Sequence, residues 1–254
     1  MDEGHTVKYM AQVLFLSLLL GGPAMAAGHL ADVEIKDRTS GRTLPVYESA
    51  GHWFVAGRPG NEYRINIRNR ETEDLLAVVS VDGINVVTGE IAGAAQSGYV
   101  IDRAISLSIA GWRKSLQKIA SFYFTDLSDS YAARTGRPDN VGVIGVALFR
   151  RHPQPLAQMD PPEASVGAGA SNDNAARSAS APAREKRIGT GHGRSQSAPA
   201  RYVEFERASN SPAEVIAIHY DTYANLVARG VIRDEHRLPL PFPGEFVPDP
   251  PRNG

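Results

Sequence analysis

The sequence predicts a mainly β protein, an antiparallel β-sandwich, and three observations carry that expectation. Between residues 31 and 149 apolar residues come in short runs, several alternating with polar ones. Turn-forming clusters such as Gly57-Arg58-Pro59-Gly60-Asn61 and Asp82-Gly83 separate the runs, at the roughly ten-residue spacing of a sandwich or barrel. No repeated strand–helix–strand unit occurs, so a parallel sheet is not expected.

The first strand is expected over 31–37, with Val33 and Ile35 on one face. Residues 42–48 place Leu44 and Val46 together, and Pro45 suits an edge. Residues 53–56 form a short apolar strand. Over 62–68, Tyr63, Ile65 and Ile67 alternate with Arg64, Asn66 and Arg68, as in a half-buried antiparallel strand. Residues 75–81 are apolar except Ser80, so that strand is expected centrally. Asp82-Gly83 then signals a hairpin, with 86–88 as its return. Residues 99–101, 105–109 and 122–124 are further short runs. Residues 141–149 are apolar throughout, with Gly142 and Gly145 admitting a close backbone. Of these ten runs, about eight or nine are expected to be strands. One helix is expected over 113–120 and a short turn over 128–134.

Composition changes after residue 150. Residues 151–200 are rich in Ala, Ser, Pro and Gly, and read as a disordered linker whose second half carries Arg177, Arg184, Lys186, Arg187 and Arg194. Residues 201–232 then suggest a β-hairpin, with strands at 202–207 and 214–220, and a helix over 221–229 capped by Asp221. This unit is too small to stand alone and is expected to dock on the main domain at 28–150. Residues 233–254 read as an extended proline-rich tail.

The amino terminus reads as an export signal. Residues 10–20 form an apolar core, Gly21-Gly22-Pro23 breaks it, and Ala24-Met25-Ala26 fits the small-x-small cleavage rule, so the cut is placed after Ala26. The run is shorter than the ~20 residues that span a bilayer. Lys8 is the one basic side chain before it. The expectation is a periplasmic or secreted protein with no transmembrane segment after cleavage.

Several chemistries lack their residues. Cysteine is absent, which removes disulfides, thiolate metal sites and cysteine nucleophiles. The seven histidines are scattered without metal-ligand spacing, and no G-x-S-x-G occurs. No metal and no cofactor are therefore expected. Net charge is −1, so no specific nucleic-acid binding is expected either.

The candidate ligand-binding residues are Asp82, Asn85, Trp112, Arg113, Tyr131, Arg134 and His192. Asp82 and Asn85 flank a turn, where an acid and an amide can grip a sugar or Ca²⁺, although turn chemistry alone also explains them. Trp112-Arg113 and Tyr131 with Arg134 pair rings with cations that suit a glycan, peptide or anionic surface; packing a loop on a sheet uses the same residues. His192 lies in Gly189-Thr190-Gly191-His192-Gly193. With no helix after it, that segment is expected to be a flexible or turning stretch rather than a phosphate cradle.

Val79–Val86 (VSVDGINV), Gly111–Ser115 (GWRKS), Ser130–Gly136 (SYAARTG), Asn140–Phe149 (NVGVIGVALF) and Gly189–Arg194 (GTGHGR) together resemble a group of uncharacterised proteobacterial exported proteins. The resemblance spans residues 34–232 and implies no activity; it implies that the glycine–histidine segment and the C-terminal unit are parts of one fold. The functional expectation is a non-enzymatic envelope protein that binds a ligand or partner, such as an envelope protein, glycan or anionic surface. The alternatives are an envelope hydrolase acting on glycan or peptide, and an assembly component.

Overall fold

Alternation sorts the side chains of each strand to two faces, and two such faces close on each other in the structure. The computed structural model describes residues 26–153 and 187–233. Its strands in chain order are β1 (Ala26–Ala27), β2 (Ala31–Asp37), β3 (Val46–Ser49), β4 (His52–Ala56), β5 (Glu62–Asn69), β6 (Leu75–Val81), β7 (Ile84–Asn85), β8 (Tyr99–Ile101), β9 (Ser106–Ile109), β10 (Gly111–Arg113), β11 (Lys118–Asp126), β12 (Val143–Arg150), β13 (Ile188–Ser197) and β14 (Glu214–Asp221). Two short helices are α1 (Tyr131–Arg134) and α2 (Tyr223–Ala228). Among the described residues no helix is long and apolar enough to cross a membrane.

The first sheet runs β1-β2-β5-β11-β10, with β9 beside β5 and β13 beside β11. The second runs β3-β4-β14-β12-β6-β7, with β8 beside β6. Neighbours are antiparallel except β14 and β4, which run parallel. Val33, Ile35, Ile65, Ile67, Phe122 and Phe124 of the first sheet meet Val79, Val81, Ile144, Val146, Ile216 and Ile218 of the second in one buried cluster. Outside it, α2 lays Leu226 on Phe54, and Phe205 covers Leu76, Val78 and Phe149.

The clean alternations hold. Val33 and Ile35, then Tyr63, Ile65 and Ile67, are all buried. Asp82 and Gly83 both take positive φ, 52° and 73°, as the tight turn between β6 and β7 requires. The return strand, however, is Ile84–Asn85 rather than 86–88.

Four expectations are corrected. Residues 113–120 form no helix: β10 and β11 pair across a hairpin, with Trp112 opposite Ala120. A side chain at Gly111 would strike the Ala120 carbonyl at 2.1 Å, and local helical propensity yields to that backbone approach. The linker does not reach residue 200, because β13 is a ten-residue strand paired along β11. The C-terminal unit has no hairpin. Over 202–207 the chain makes one isolated bridge, Arg207 to Arg151, while β14 inserts between β4 and β12. The cap of α2 is Thr222, whose side chain accepts from Asn225 N; Asp221 supports it by accepting from Asn225 Nδ2 at 2.7 Å. The apolar segment at 10–20, residues 154–186 of the linker and the proline-rich tail lie outside the described residues.

Insertion of β14 also ties the last described strand to the start of the described region. Both Glu214 carboxylate oxygens accept backbone amides from the start of the fold, His29 N at 2.6 Å and Leu30 N at 2.7 Å. Since β14 is a central strand with Ile216, Ile218 and Tyr220 buried, the protein should survive a break between β12 and β13 as one particle. A chain cut at an engineered protease site after Ala170 is expected to elute from a sizing column as an intact complex. Separation under native conditions would refute the central position of β14.

Candidate functional site

A buried acid sits where the two sheets meet. Asp82 leaves the end of β6 and is 1% exposed. Its Oδ2 accepts from Thr190 N at 2.7 Å; its Oδ1 accepts from Gly142 N at 2.9 Å and from the Tyr220 hydroxyl. Thr190 Oγ1 lies 2.7 Å from the Tyr220 hydroxyl and 2.6 Å from the Tyr63 hydroxyl. Each hydroxyl has one proton to donate. With Asp82 ionised, Tyr220 donates to the carboxylate and must accept from Thr190. Thr190 must then accept from Tyr63. A directed chain thus runs from Tyr63 (β5) and Thr190 (β13) of the first sheet to Tyr220 (β14) and Asp82 of the second.

Burial dominates the electrostatics here. It raises the Asp82 carboxyl above the ordinary carboxylate range, although hydrogen bonds from Tyr220, Gly142 and Thr190 pull the other way. Burial, with the Asp82 charge nearby, also raises both tyrosine hydroxyls well above theirs.

The glycines around Thr190 have a packing role. A Cβ at Gly189 would meet Ser130 at 2.5 Å, at Gly191 the Tyr123 ring at 2.2 Å, and at Gly193 Ser121 Oγ at 2.4 Å. Alternate glycines on one face of β13 let α1 and β11 press against it. The segment expected to flex is therefore a strand.

From Tyr220 a series of ring contacts crosses the core to the surface. Phe124 lies 5.4 Å from Tyr220 and 4.3 Å from Tyr63. Tyr63 stacks with Phe122 at 5.4 Å, which meets Trp112 edge-on at 5.2 Å. Trp112 meets Tyr131 at 5.0 Å, and Tyr131 meets His192 at 5.5 Å. Arg137 reaches the Tyr131 ring from 5.8 Å and donates to Gly89 O at 2.9 Å. The structure thus gathers three expected residues, Trp112, Tyr131 and His192. Trp112 is buried, Tyr131 half-buried and His192 exposed.

The other expected residues are apart from these. Asn85 is buried and braces the turn, with Nδ2 donating to Gln96 Oε1 and Ser97 O at 3.0 Å, and Oδ1 accepting Val87 N at 2.8 Å. Arg113 ties β10 to the Tyr99 hydroxyl at 3.1 Å and to Ala198 O at 2.5 Å. Arg134 is exposed at the end of α1. Burial of Asp82 and Asn85 leaves neither facing a sugar or Ca²⁺ in solvent.

An open cleft of about 490 Å³ lies beside the buried acid, lined by Asp139, Gly142, Arg187, His219, Asp221 and Arg229, with Tyr220 at its inner side. Gly142 joins the two features: its backbone lines the cleft and its N–H holds Asp82. Arg187 Nη2 donates to Val141 O at 2.6 Å; Arg229 Nη1 stands 3.8 Å from Asp221 Oδ2 and its guanidinium covers Phe54 at 5.5 Å. Partial burial, with His52 and Arg229 near, lowers His219 below the usual imidazole range and favours the neutral ring. The sequence shows Arg187 only as one cation of a basic stretch read as linker and Arg229 only at the end of a small helix, and neither is expected at a site. No spacing relates them to Asp139 or Gly142.

The chain matches no family model, no curated protein sequence and no solved structure.

The raised Asp82 carboxyl has a signed consequence. A group with a higher pKa in the folded than in the unfolded state binds protons on folding. Its stabilising contribution is complete below the unfolded pKa and is lost as pH rises through the native one. Asp82→Asn removes that titration and sets an amide against converging N–H donors, at a cost of about 1–3 kcal/mol in acid. Relative to the native chain, the penalty should shrink as pH rises through the raised pKa of Asp82. Denaturant melts of both proteins over a pH series measure it, and a penalty that grows with pH contradicts the assignment.

Proposed function

We propose that the protein is an exported envelope protein that binds a ligand without transforming it, and that the ligand occupies the cleft between Arg187 and Arg229. The observation that carries this reading is the placement of these two guanidiniums. Among the described residues Arg187 commits one donor, to Val141, and the ion pair of Arg229 with Asp221 is long at 3.8 Å. A guanidinium carries five donors in a fork that suits carboxylate and phosphate oxygens. Asp139, which also lines the cleft, can accept from a hydroxyl or amino group. The ligand class is a small polar molecule with one carboxylate or phosphate and hydrogen-bond donors beside it.

Binding is favoured over hydrolysis by the state of the reactive groups. The Tyr220 hydroxyl and the Asp82 carboxylate are bonded to each other and to Thr190. Asp82 does not line the cleft, and the hydroxyl of Tyr220, which does line it, is already engaged by Asp82 and Thr190, so neither stands as a free nucleophile there; His219 is the cleft side chain that conversion of a ligand would call on. The export half of the reading rests on the apolar run at 10–20 and the Ala24-Met25-Ala26 site, and it accords with the resemblance to exported proteobacterial proteins.

Calorimetric titration with amino acids, hydroxy acids and sugar phosphates tests the cleft. At least one class should bind, and Arg187→Ala and Arg229→Ala should each weaken it by roughly tenfold, the share of one charge-assisted contact of about 1.5 kcal/mol. Steady conversion of the ligand, followed by NMR, would instead make the protein a hydrolase. Export has its own readout. Amino-terminal sequencing of the chain from a bacterial envelope fraction should begin at Ala27, and a chain that keeps Met1 in the cytosol would overturn it.

A further inference from the structure

The tip of the β10–β11 hairpin and the strap that leaves β13 run side by side. Lys114 N donates to Lys118 O at 2.9 Å to close the hairpin. The strap is pinned to its far side: Ala198 N donates to Gln117 O at 2.9 Å and Ala200 N to Leu116 O at 2.7 Å. Residues 114–118 and 201–204 are all exposed. These two adjoining segments carry three large exposed apolar side chains, Tyr202 at 89% exposure, Val203 at 50% and Leu116 at 38%. Single apolar residues on a surface are ordinary; a group of them marks a contact.

The surrounding charge says what kind of contact. Lys114, Lys118 and Arg201 frame the group, and Glu204 is the one carboxylate on these two segments. Among the described residues none of the three cations takes part in an ion pair. Apolar side chains ringed by unpaired cations match the boundary of an anionic bilayer, where acyl chains and phosphates lie a few ångströms apart. A tyrosine ring suits that boundary because one end is apolar and the other polar. We propose that this corner docks the protein reversibly on an anionic lipid surface, with Leu116, Tyr202 and Val203 entering the head-group layer and Lys114, Lys118 and Arg201 meeting lipid phosphates. The proposal is independent of the cleft and its ligand.

Co-sedimentation of the full chain with phosphatidylglycerol–phosphatidylcholine vesicles tests it, with phosphatidylcholine vesicles as the neutral comparison. Binding to the anionic vesicles is expected and should fall with salt, because screening shortens the reach of charge to about 10 Å at 0.1 M. Each of Lys114→Ala, Lys118→Ala and Arg201→Ala should weaken it roughly fivefold, and the triple variant about a hundredfold. Tyr202→Ser should weaken binding at fixed charge. All four side chains are exposed, and unchanged thermal melts would show that the variants fold. Failure to sediment with anionic vesicles overturns the proposal, as does undiminished binding by the triple variant or by Tyr202→Ser. Capture by heparin without capture by vesicles overturns it in favour of a soluble polyanion.

Discussion

The fold turns on one buried carboxylate. Asp82 accepts from a backbone amide ahead of β12, a backbone amide within β13 and a hydroxyl on β14. Three segments that lie 60, 108 and 138 residues away along the chain thereby converge on one side chain. A buried charge is costly unless its lone pairs are used, so the site tolerates little displacement of any donor. Tyr63 and Thr190 extend the network into the first sheet. The two sheets share one apolar core and are also joined by this polar chain, whose hydrogen bonds are met in the observed register.

Register matters most at β13 and β14, the strands that arrive after the long excursion between them and β12. The ladder of β13 along β11 is irregular between Ala120 and Phe122. Its alternate glycines and the Thr190 amide bond to Asp82 set its position against neighbours that would otherwise slide. Insertion of β14 between β4 and β12 explains why Glu214 can reach the amides of His29 and Leu30. The last described strand thus completes the second sheet and is tied to the segment that leads into β2, and the described segments fold as one unit rather than as a domain with an appendage.

Surface chemistry follows from the same arrangement. The residues that line the cleft come from the approach to β12, the start of β13, the end of β14 and the end of α2; the Asp82 network fixes Gly142, Thr190 and Tyr220 among these segments, and α2 is held separately by Leu226 on Phe54. The corner proposed to meet lipid lies elsewhere, where the β10–β11 hairpin meets the strap from β13. The proposed ligand site and the proposed membrane contact are therefore carried by opposite ends of one strand, Ile188 beside the cleft and Ser197 beside Lys118.

Sequence alone determined the class of fold, because strict alternation in residues such as Tyr63, Ile65 and Ile67 has one physical meaning, a strand with one buried face. It determined the Asp82-Gly83 turn, since few residue pairs accept two positive φ values, and it named Trp112, Tyr131 and His192, which the structure brings together. Weak local patterns were the ones overruled. Residues 113–120 read as a helix until β11 supplied a partner, and 188–197, poor in large side chains, read as linker until Tyr123, Ser121 and Ser130 filled the space its glycines leave. Only tertiary structure decided that Asp82 is buried, that β14 is central, and that Arg187 and Arg229 share a cleft. Each of these depends on pairing between segments scores of residues apart, and the hydrogen bonds and packing that favour such pairing act between neighbours in space, which the order of residues does not record.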